Sequence, residues 1–491
     1  MHEIKEECGV FGICSTQMQD VAGTVYYGLF ALQHRGQESC GIVVNDDGLF
    51  RSYRDNGLVN DVFTRPVLDT LGQGSMAIGH NRYSTTGSGD RSNAQPLVVN
   101  HHKGRMALAH NGNIVNAYEL RKELEMNGSI FHSTSDTEVI AYVITKARIT
   151  CGSIEEAILR AMDRIEGAYS LLVMSPQKMI AVRDPHGFRP LCYGRREDGS
   201  FIVASESCAL DAVGASYVRD IEPGEVVVFQ GGRVTSLQQH CKEKPHRICI
   251  FEYLYFARPD SIIEGKEVHT ARRKAGALLA MQYPVDADVV IGVPDSGLDA
   301  AIGYAEQSGI PYGMGFIKNK YIGRTFIAPG QKNREDKVRI KLNVIRHTVK
   351  DKRVVLVDDS VVRGTTITRI VELVRSAGAR EVHVMSSAPM FTDACYYGVD
   401  VDSKENLIAC QCGGDLVKIA ATVGADSIGY LDRDALHMLL GNKPKEGYCA
   451  ACFGCGYPTA VPTGDKSRFE TRISEEDAQK ADEDYERYLR D

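Results

Sequence analysis

The chain has 491 residues, 43% of them hydrophobic, and a formal net charge of −7. That length suits two or three domains with separate cores, and the acidic, interspersed charge excludes nucleic acid as a main partner, because phosphate binding needs a basic face. No apolar run reaches the roughly 18 residues of a membrane span and the first residues lack the apolar core of a signal peptide, so a cytoplasmic protein without membrane contact is expected.

In chain order, a polar leader (residues 1–7) gives way at Cys8 to the buried-strand pattern "CGVFGI". A cysteine is a strong nucleophile only as thiolate and needs a base. At the first position of a processed chain its own α-amine, with an ordinary pKa of about 7.7–8.0, would serve. The plainer alternative is a small buried strand residue. From Cys8 to about Gln239 the chain is strand-rich: "SCGIVVNDDG", "SMAIGHNRYST", "RMALAHNGNIV" and "AYSLLVM" are short apolar strands, and "HNGN" reads as a hairpin turn. "NAYELRKELEMNG" and "DTEVIAYVITKARI" are helical, and "EVVVFQGGRVTSL" is a hairpin turning at Gly-Gly. The expectation is an α+β, layered αββα domain over residues 8–240.

A polar stretch at Glu243–His246 reads as a linker. After it, strands alternate with helices: "DADVVIGVPDSG", then "RVVLVDDSVVRG" with the helix "TTITRIVELVRSAG", then "EVHVMSSAPM". That rhythm predicts an α/β domain with a parallel sheet over 245–460. Residues 461–491 are charged and read as a solvated helix or a disordered tail.

"VVLVDDSVVRGTT" (354–366) is the most informative stretch. A buried strand ends in Asp358 and Asp359, a short loop carries Arg363 and Gly364, and a helix starts at Thr365 and Thr366. The N–H groups of a helix start bind phosphate, with threonine hydroxyls as added donors. Carboxylates at the strand end suit a ribose diol or Mg²⁺ instead. No Gly-Lys-Ser/Thr ends the loop, so it is not a Walker loop.

This stretch closely resembles the phosphoribosyl pyrophosphate motif of type I phosphoribosyltransferases. The resemblance implies that Arg363, Gly364, Thr365 and Thr366 hold the 5′-phosphate, and that Asp358 and Asp359 hold the ribose hydroxyls and bound Mg²⁺. It also implies that "VPDSG" (293–297) contacts pyrophosphate and its metal through Ser296. "KNKYIGRTFIAPGQ" (318–331), with Lys320 and Tyr321, looks like the loop that closes over the substrate in these enzymes.

"LQHRGQES" (32–39), "GHNRYSTTG" (79–87), "AHNGNIVN" (109–116) and "STSDTE" (133–138) resemble class II glutamine amidotransferase domains, whose αββα fold carries an N-terminal nucleophile. The resemblance makes Cys8 the nucleophile. It assigns Arg82 to the glutamine α-carboxylate, where a guanidinium fork fits, and Asp136 to the α-ammonium. It places the Asn111 side chain and the Gly112 N–H in an oxyanion hole, and gives Arg35 to the ordering of a closing loop over glutamine.

Together the two halves resemble the glutamine phosphoribosylpyrophosphate amidotransferase (amidophosphoribosyltransferase) family, from Cys8 to about Pro458. The resemblance implies hydrolysis of glutamine, transfer of the ammonia to C1 of phosphoribosyl pyrophosphate with loss of pyrophosphate, a homotetramer, and purine nucleotides as inhibitors. "YCAACFGCGYP" (448–458) has metal or cluster spacing among the chain's 14 cysteines. The iron–sulfur, propeptide-containing form of the family implies a [4Fe–4S] cluster on Cys249, Cys395, Cys449 and Cys452. Zinc is the rival metal, and Cys455 makes the choice of CxxC ambiguous. Two other functions compete. A non-catalytic nucleotide sensor would have lost residues that are all present, and a hexosamine-forming synthase would lack the 354–366 motif.

Overall fold

The computed structural model describes residues 8–83, 89–319, 342–401, 403–441 and 447–462. The leader 1–7, Lys320, Tyr321 and most of the 318–331 stretch, and the tail from 463 lie outside the described residues. The described chain forms two compact units. One holds residues 8–248 with Tyr396–Val399 and 459–462; the other holds Cys249–Cys395 with Asp400–Pro458.

The first unit is built on two antiparallel sheets. Strands β1 (Gly9–Gln19), β2 (Ser39–Asp46), β3 (Leu49–Asn56), β4 (Gly74–Arg82), β9 (Cys192–Arg195), β10 (Phe201–Ala204) and β11 (Ser216–Asp220) form one, in the order β11-β9-β10-β1-β4-β2-β3. Strands β5 (Leu97–His101), β6 (Gly104–Ile114), β7 (Gly167–Met174), β8 (Met179–Arg183), β12 (Val226–Gln230) and β13 (Arg233–Leu237) form the other, ordered β13-β12-β8-β7-β6-β5. Successive side chains of a strand point to opposite faces, and β1 uses both. Val10 and Cys14 join Ala107, Leu172 and Val227 in the core between the sheets. Phe11 and Ile13 join Val21, Val25 and Leu29 of helix α1 (Val21–Ala31) on the outside, with Cys208, Ala209 and Leu210 of the short helix α5 (Ser207–Ala212).

Helices α2 (Ala117–Met126), α3 (Asp136–Thr150) and α4 (Ile154–Met162) bury their apolar faces on the outer side of the second sheet. The unit is therefore the layered αββα domain that the sequence predicts. The Gly-Gly hairpin is present, with Gln230 paired to Arg233. The "HNGN" expectation needs correction. Asn111–Gly112–Asn113 runs inside β6, paired to Ser170, Tyr169 and Ala168, and the turn follows it. Gly112 has φ 139°, and a Cβ there would lie 2.2 Å from the Ala168 carbonyl oxygen. Glycine therefore allows a strand where its turn-forming reputation suggests a bend.

The second unit carries a parallel sheet, β14 (Val289–Gly292), β15 (Arg353–Asp358), β16 (Glu381–Ser386) and β17 (Ser427–Tyr430), hydrogen-bonded in that order. Helix α6 (Val268–Gln282) precedes the sheet, α7 (Gly297–Ser308) follows β14, and α8 (Thr365–Ser376) follows β15. Helix α8 seats Ile367, Ile370, Val371 and Val374 against Val354, Leu356 and Val382. Parallel strands need crossovers, and ligands gather at their carboxyl ends. No helix among the described residues is long and apolar enough to cross a membrane.

Candidate active site

In the first unit, pairing of Gly9 with Asn81 and of Ser39 with Arg82 brings Cys8 and Arg82 to the same end of the sheet. Cys8 is buried, and its Sγ lies 3.5 Å from the Tyr83 carbonyl oxygen. Arg35 lies beneath it: Nε donates to the Cys8 carbonyl at 3.1 Å and Nη1 to Glu206 Oε1 at 2.6 Å, and both side chains are fully buried. His34 reaches the same carboxylate at 2.7 Å. A buried ion pair is rigid only when both partners are further bonded, and here the arginine also fixes the cysteine's own peptide.

Asp136 opens α3, behind the capping Ser135. Burial raises its carboxyl, but His110, 3.5 Å away, the Ile114 N–H at 3.1 Å and the Arg82 charge outweigh burial and hold it below the usual carboxylate range. Arg82 is thus close enough to Asp136 for its charge to favour the ionised carboxylate. The backbone N–H of His110 donates to the Gln95 side-chain oxygen at 2.8 Å. The next residue differs sharply. Asn111 is wholly buried, and neither Nδ2 nor Oδ1 has a hydrogen-bond partner among the described residues. A buried amide without partners costs about 1–3 kcal/mol, which suits a group reserved for a ligand.

In the second unit, β15 ends on Asp358. Burial, then the charge of Asp359, pushes its carboxyl well above the usual range. Burial raises Asp359 to about 6, against the opposing pull of the Ser360 hydroxyl, 2.6 Å away, and the charge of Arg272. Arg272 is held by the carbonyls of Tyr253, Tyr255 and Ala257 at 2.7–3.0 Å. Gly364 caps α8 with φ 81°, and a Cβ there would lie 2.4 Å from Ile408. No side chain caps that helix start among the described residues, and Thr365 is exposed beside it. Arg363 and Thr366 are half-buried on either side of Gly364–Thr365. Ser296, also half-buried, immediately precedes α7 at the end of the neighbouring strand β14. Two mutually repelling acids and an open helix start lie together, the first suited to a cation or hydroxyls and the second to an anion.

Cys249, Cys395, Cys449 and Cys452 are all buried. The short strand ending at Cys249 pairs with Tyr448–Cys449. The N–H groups of Thr392 and Asp393 reach the Cys452 carbonyl at 3.0 and 3.2 Å. Burial raises the Cys452 thiol well above its usual range, and Cys395, Cys249 and Cys449 raise it further. The four are close enough to interact electrostatically, but among the described residues no three His, Cys, Asp or Glu are placed to hold a metal ion. Phe251, Phe391 and Phe453, one from each segment, pack together with ring centroids 4.7–6.2 Å apart. Cys455 is exposed.

Two family models match: one described as a glutamine amidotransferase domain over residues 80–212, the other as a phosphoribosyl transferase domain over 264–425. The amidophosphoribosyltransferase of Methanocaldococcus jannaschii is 47% identical over 468 residues, covering 92% of this chain and 98% of the relative. The chain belongs to the amidophosphoribosyltransferase family. The amidophosphoribosyltransferase of Bacillus subtilis strain 168 is 46% identical over 93% of this chain and 95% of its own length. A solved B. subtilis glutamine phosphoribosylpyrophosphate amidotransferase, complexed with ADP and GMP, is 45% identical, with a TM-score of 0.86 over 93% of this chain and 98% of that one.

As an amidophosphoribosyltransferase the chain is a glutamine-dependent enzyme with an amidotransferase domain and a phosphoribosyltransferase domain. The structure gathers Cys8, Arg35, Arg82 and Asp136 around the sheet ends of one unit, and Ser296, Asp358, Asp359 and Gly364 at strand ends of the other. Arg35, which the resemblance gives to the ordering of a closing loop, donates its Nε to the Cys8 carbonyl. Sequence reading missed Glu206, His110 and Arg272. Each acts through partners distant in the chain, and only "QHR", which places His34 beside Arg35, carried a local hint.

Proposed function

We propose that this amidophosphoribosyltransferase opens de novo purine biosynthesis with the residues named above in separate roles. Arg82 takes the glutamine α-carboxylate and Asp136 its α-ammonium. Once residues 1–7 are removed, the α-amine of Cys8 accepts the thiol proton and Sγ attacks the side-chain amide carbon. The Asn111 amide and the Gly112 N–H stabilise the tetrahedral oxyanion. Ammonia leaves, and water releases glutamate from the thioester. Arg35 acts as a positioning residue by holding the Cys8 carbonyl. The unpartnered, buried Asn111 amide is the observation that carries this reading.

In the other domain, the Gly364–Thr366 helix start, with Arg363, binds the 5′-phosphate of phosphoribosyl pyrophosphate. Asp358 and Asp359 take the ribose hydroxyls, and Ser296 faces the pyrophosphate. Ammonia attacks C1 and pyrophosphate leaves, giving 5-phosphoribosylamine. Phosphoribosyltransferases generally use Mg²⁺. The repelling carboxylates of Asp358 and Asp359 fit a cation that screens them, and it would neutralise pyrophosphate as that group departs. Lys320 and Tyr321 belong to the loop that closes over this site.

The neighbouring, buried thiols of Cys249, Cys395, Cys449 and Cys452 support a [4Fe–4S] cluster of structural role, since neither reaction moves electrons. Exposure of Cys455 favours the Cys449–Cys452 register. Purine nucleotides inhibit, the chain works as a homotetramer, and it stays in the cytoplasm. Turnover of amide-¹⁵N glutamine with phosphoribosyl pyrophosphate, combined with the intact mass of the active protein, tests the reading. Label in the amine product and a chain beginning at Cys8 are expected. Full activity in a chain that retains Met1 would overturn the amine as base.

A further inference from the structure

The Tyr396–Val399 segment is distant in sequence from the αββα unit yet belongs to it, and its contacts converge on the proposed oxyanion strand. The Tyr396 carbonyl accepts Asn113 Nδ2 at 2.8 Å. The Tyr397 carbonyl accepts Arg189 Nε at 3.2 Å and Nη2 at 2.7 Å. Its ring stacks on Phe188, with centroids 4.3 Å apart and planes inclined by 13°. A Cβ on Gly398 would lie 3.4 Å from both Cα and the carbonyl carbon of Gly112. Gly112 is therefore held tightly against β7, and Gly398 packs beside it.

The supports of this segment close on themselves. Asn111 pairs with Ser170 in the sheet, and Ser170 Oγ donates to the Arg189 carbonyl at 3.4 Å. Arg183 Nε donates to that same carbonyl at 2.8 Å. Asp184 accepts the N–H groups of His186 and Phe188, fixing the turn that presents Phe188 and Arg189. Arg189 is wholly buried, and burying a guanidinium is costly unless its donors are satisfied. Such an arginine is out of place in a mere loop contact. It makes sense as a fixed clamp where tenths of an ångström matter.

We propose that Arg189 and Asn113 are positioning residues for glutamine hydrolysis: through Tyr396–Val399 they hold the Asn111–Gly112 peptide at the place where the oxyanion forms. The inference rests on the assignment of Asn111 and Gly112 to the oxyanion hole. A misplacement of about 1 Å can cost up to about 100-fold in rate, whereas Arg82 and Asp136, which bind the amino-acid end, are untouched.

The test is steady-state glutamine hydrolysis by the full-length enzyme carrying Asn113→Ala, Arg189→Lys or Asn111→Ala, with synthesis from added ammonia measured in parallel. Asn113→Ala and Arg189→Lys should each lower kcat for glutamine by about 10- to 100-fold, with KM unchanged and ammonia-dependent synthesis retained. Asn113→Ala removes the side-chain hydrogen bond to the Tyr396 carbonyl and tests the same clamp if Arg189→Lys fails to fold. An unchanged kcat in Asn113→Ala, or a raised KM at constant kcat, overturns the proposal provided Asn111→Ala has lost kcat. A normal kcat in Asn111→Ala overturns the oxyanion assignment itself.

Discussion

The two units hold their candidate sites in opposite ways. In the αββα unit the residues come from separate elements and are wired before any ligand arrives: Asp136 is kept charged by His110, the Ile114 N–H and Arg82, and Arg35 is bonded to the cysteine it supports. In the phosphoribosyltransferase unit one strand end and one loop supply nearly everything, and burial, aided at Asp358 by the charge of Asp359, pushes the acids there toward protonation. The difference matches the chemistry. A tetrahedral intermediate is stabilised by groups that need no rearrangement. A pyrophosphate ester brings its own charge and metal, so its site can wait incomplete.

The largest effect is expected at the two acids. Asp358→Asn with Asp359→Asn should abolish pyrophosphate release, whether ammonia or glutamine supplies nitrogen, while basal glutamine hydrolysis persists. Assays of both reactions on one preparation check this, and parallel loss of both would erase the distinction between the units. Next in size is Asp136→Asn. Removing the charge proposed to pair with the substrate ammonium should reduce kcat/KM for glutamine by about 10- to 100-fold, the scale of about 1.4–2.7 kcal/mol for a charge-assisted hydrogen bond. Most of the loss should appear in KM, with ammonia-dependent synthesis unaffected.

Cys449→Ser sharpens the comparison within the second unit. Anaerobically purified protein should lose iron, sulfide and the brown absorbance, and become less soluble, whereas Cys455→Ser should keep all three. One zinc and no sulfide in the unmodified protein would replace the cluster by a zinc site. The smallest effect concerns pH. Burial, with the nearby charges of Arg82 and His110, lowers His80 to about 3. Its folded pKa lies below the unfolded value, so the unfolded chain takes up the proton first as pH falls. Stability should therefore drop below about pH 6.5 and go on dropping toward pH 3, by at most about 1.4 kcal/mol per pH unit. His80→Gln should flatten that slope in thermal melts between pH 7 and 5.

What was legible in the sequence follows the same divide. The loop from 354 to 366 is contiguous, so strand, acids, glycine and threonines could be read in one pass. The αββα layering was legible because its strands alternate or run apolar over enough length to show. Helix α1 was not: "VAGTVYYGLFA" has two glycines and β-branched residues of low helix propensity, and it folds because Asp20 caps it and Phe11 fills the space that Gly28 leaves. β17 was missed because four residues carry no period. The clamp of Arg189 on Tyr397 joins positions about two hundred residues apart, and no local pattern announces such a pair. The strand at Asn111–Asn113 was misread as a turn because Asn-Gly is a turn signal, whereas the tight approach of β7 decided the backbone.

On the proposed mechanism, one chain makes ammonia at Cys8 and uses it at Asp358–Asp359. That division of roles is tested most directly by pyrophosphate release from Cys8→Ala, with glutamine or with ammonia as the nitrogen source. No release with glutamine and near-normal release with ammonia are expected. Loss of both in a folded protein, or continued use of glutamine, would contradict it.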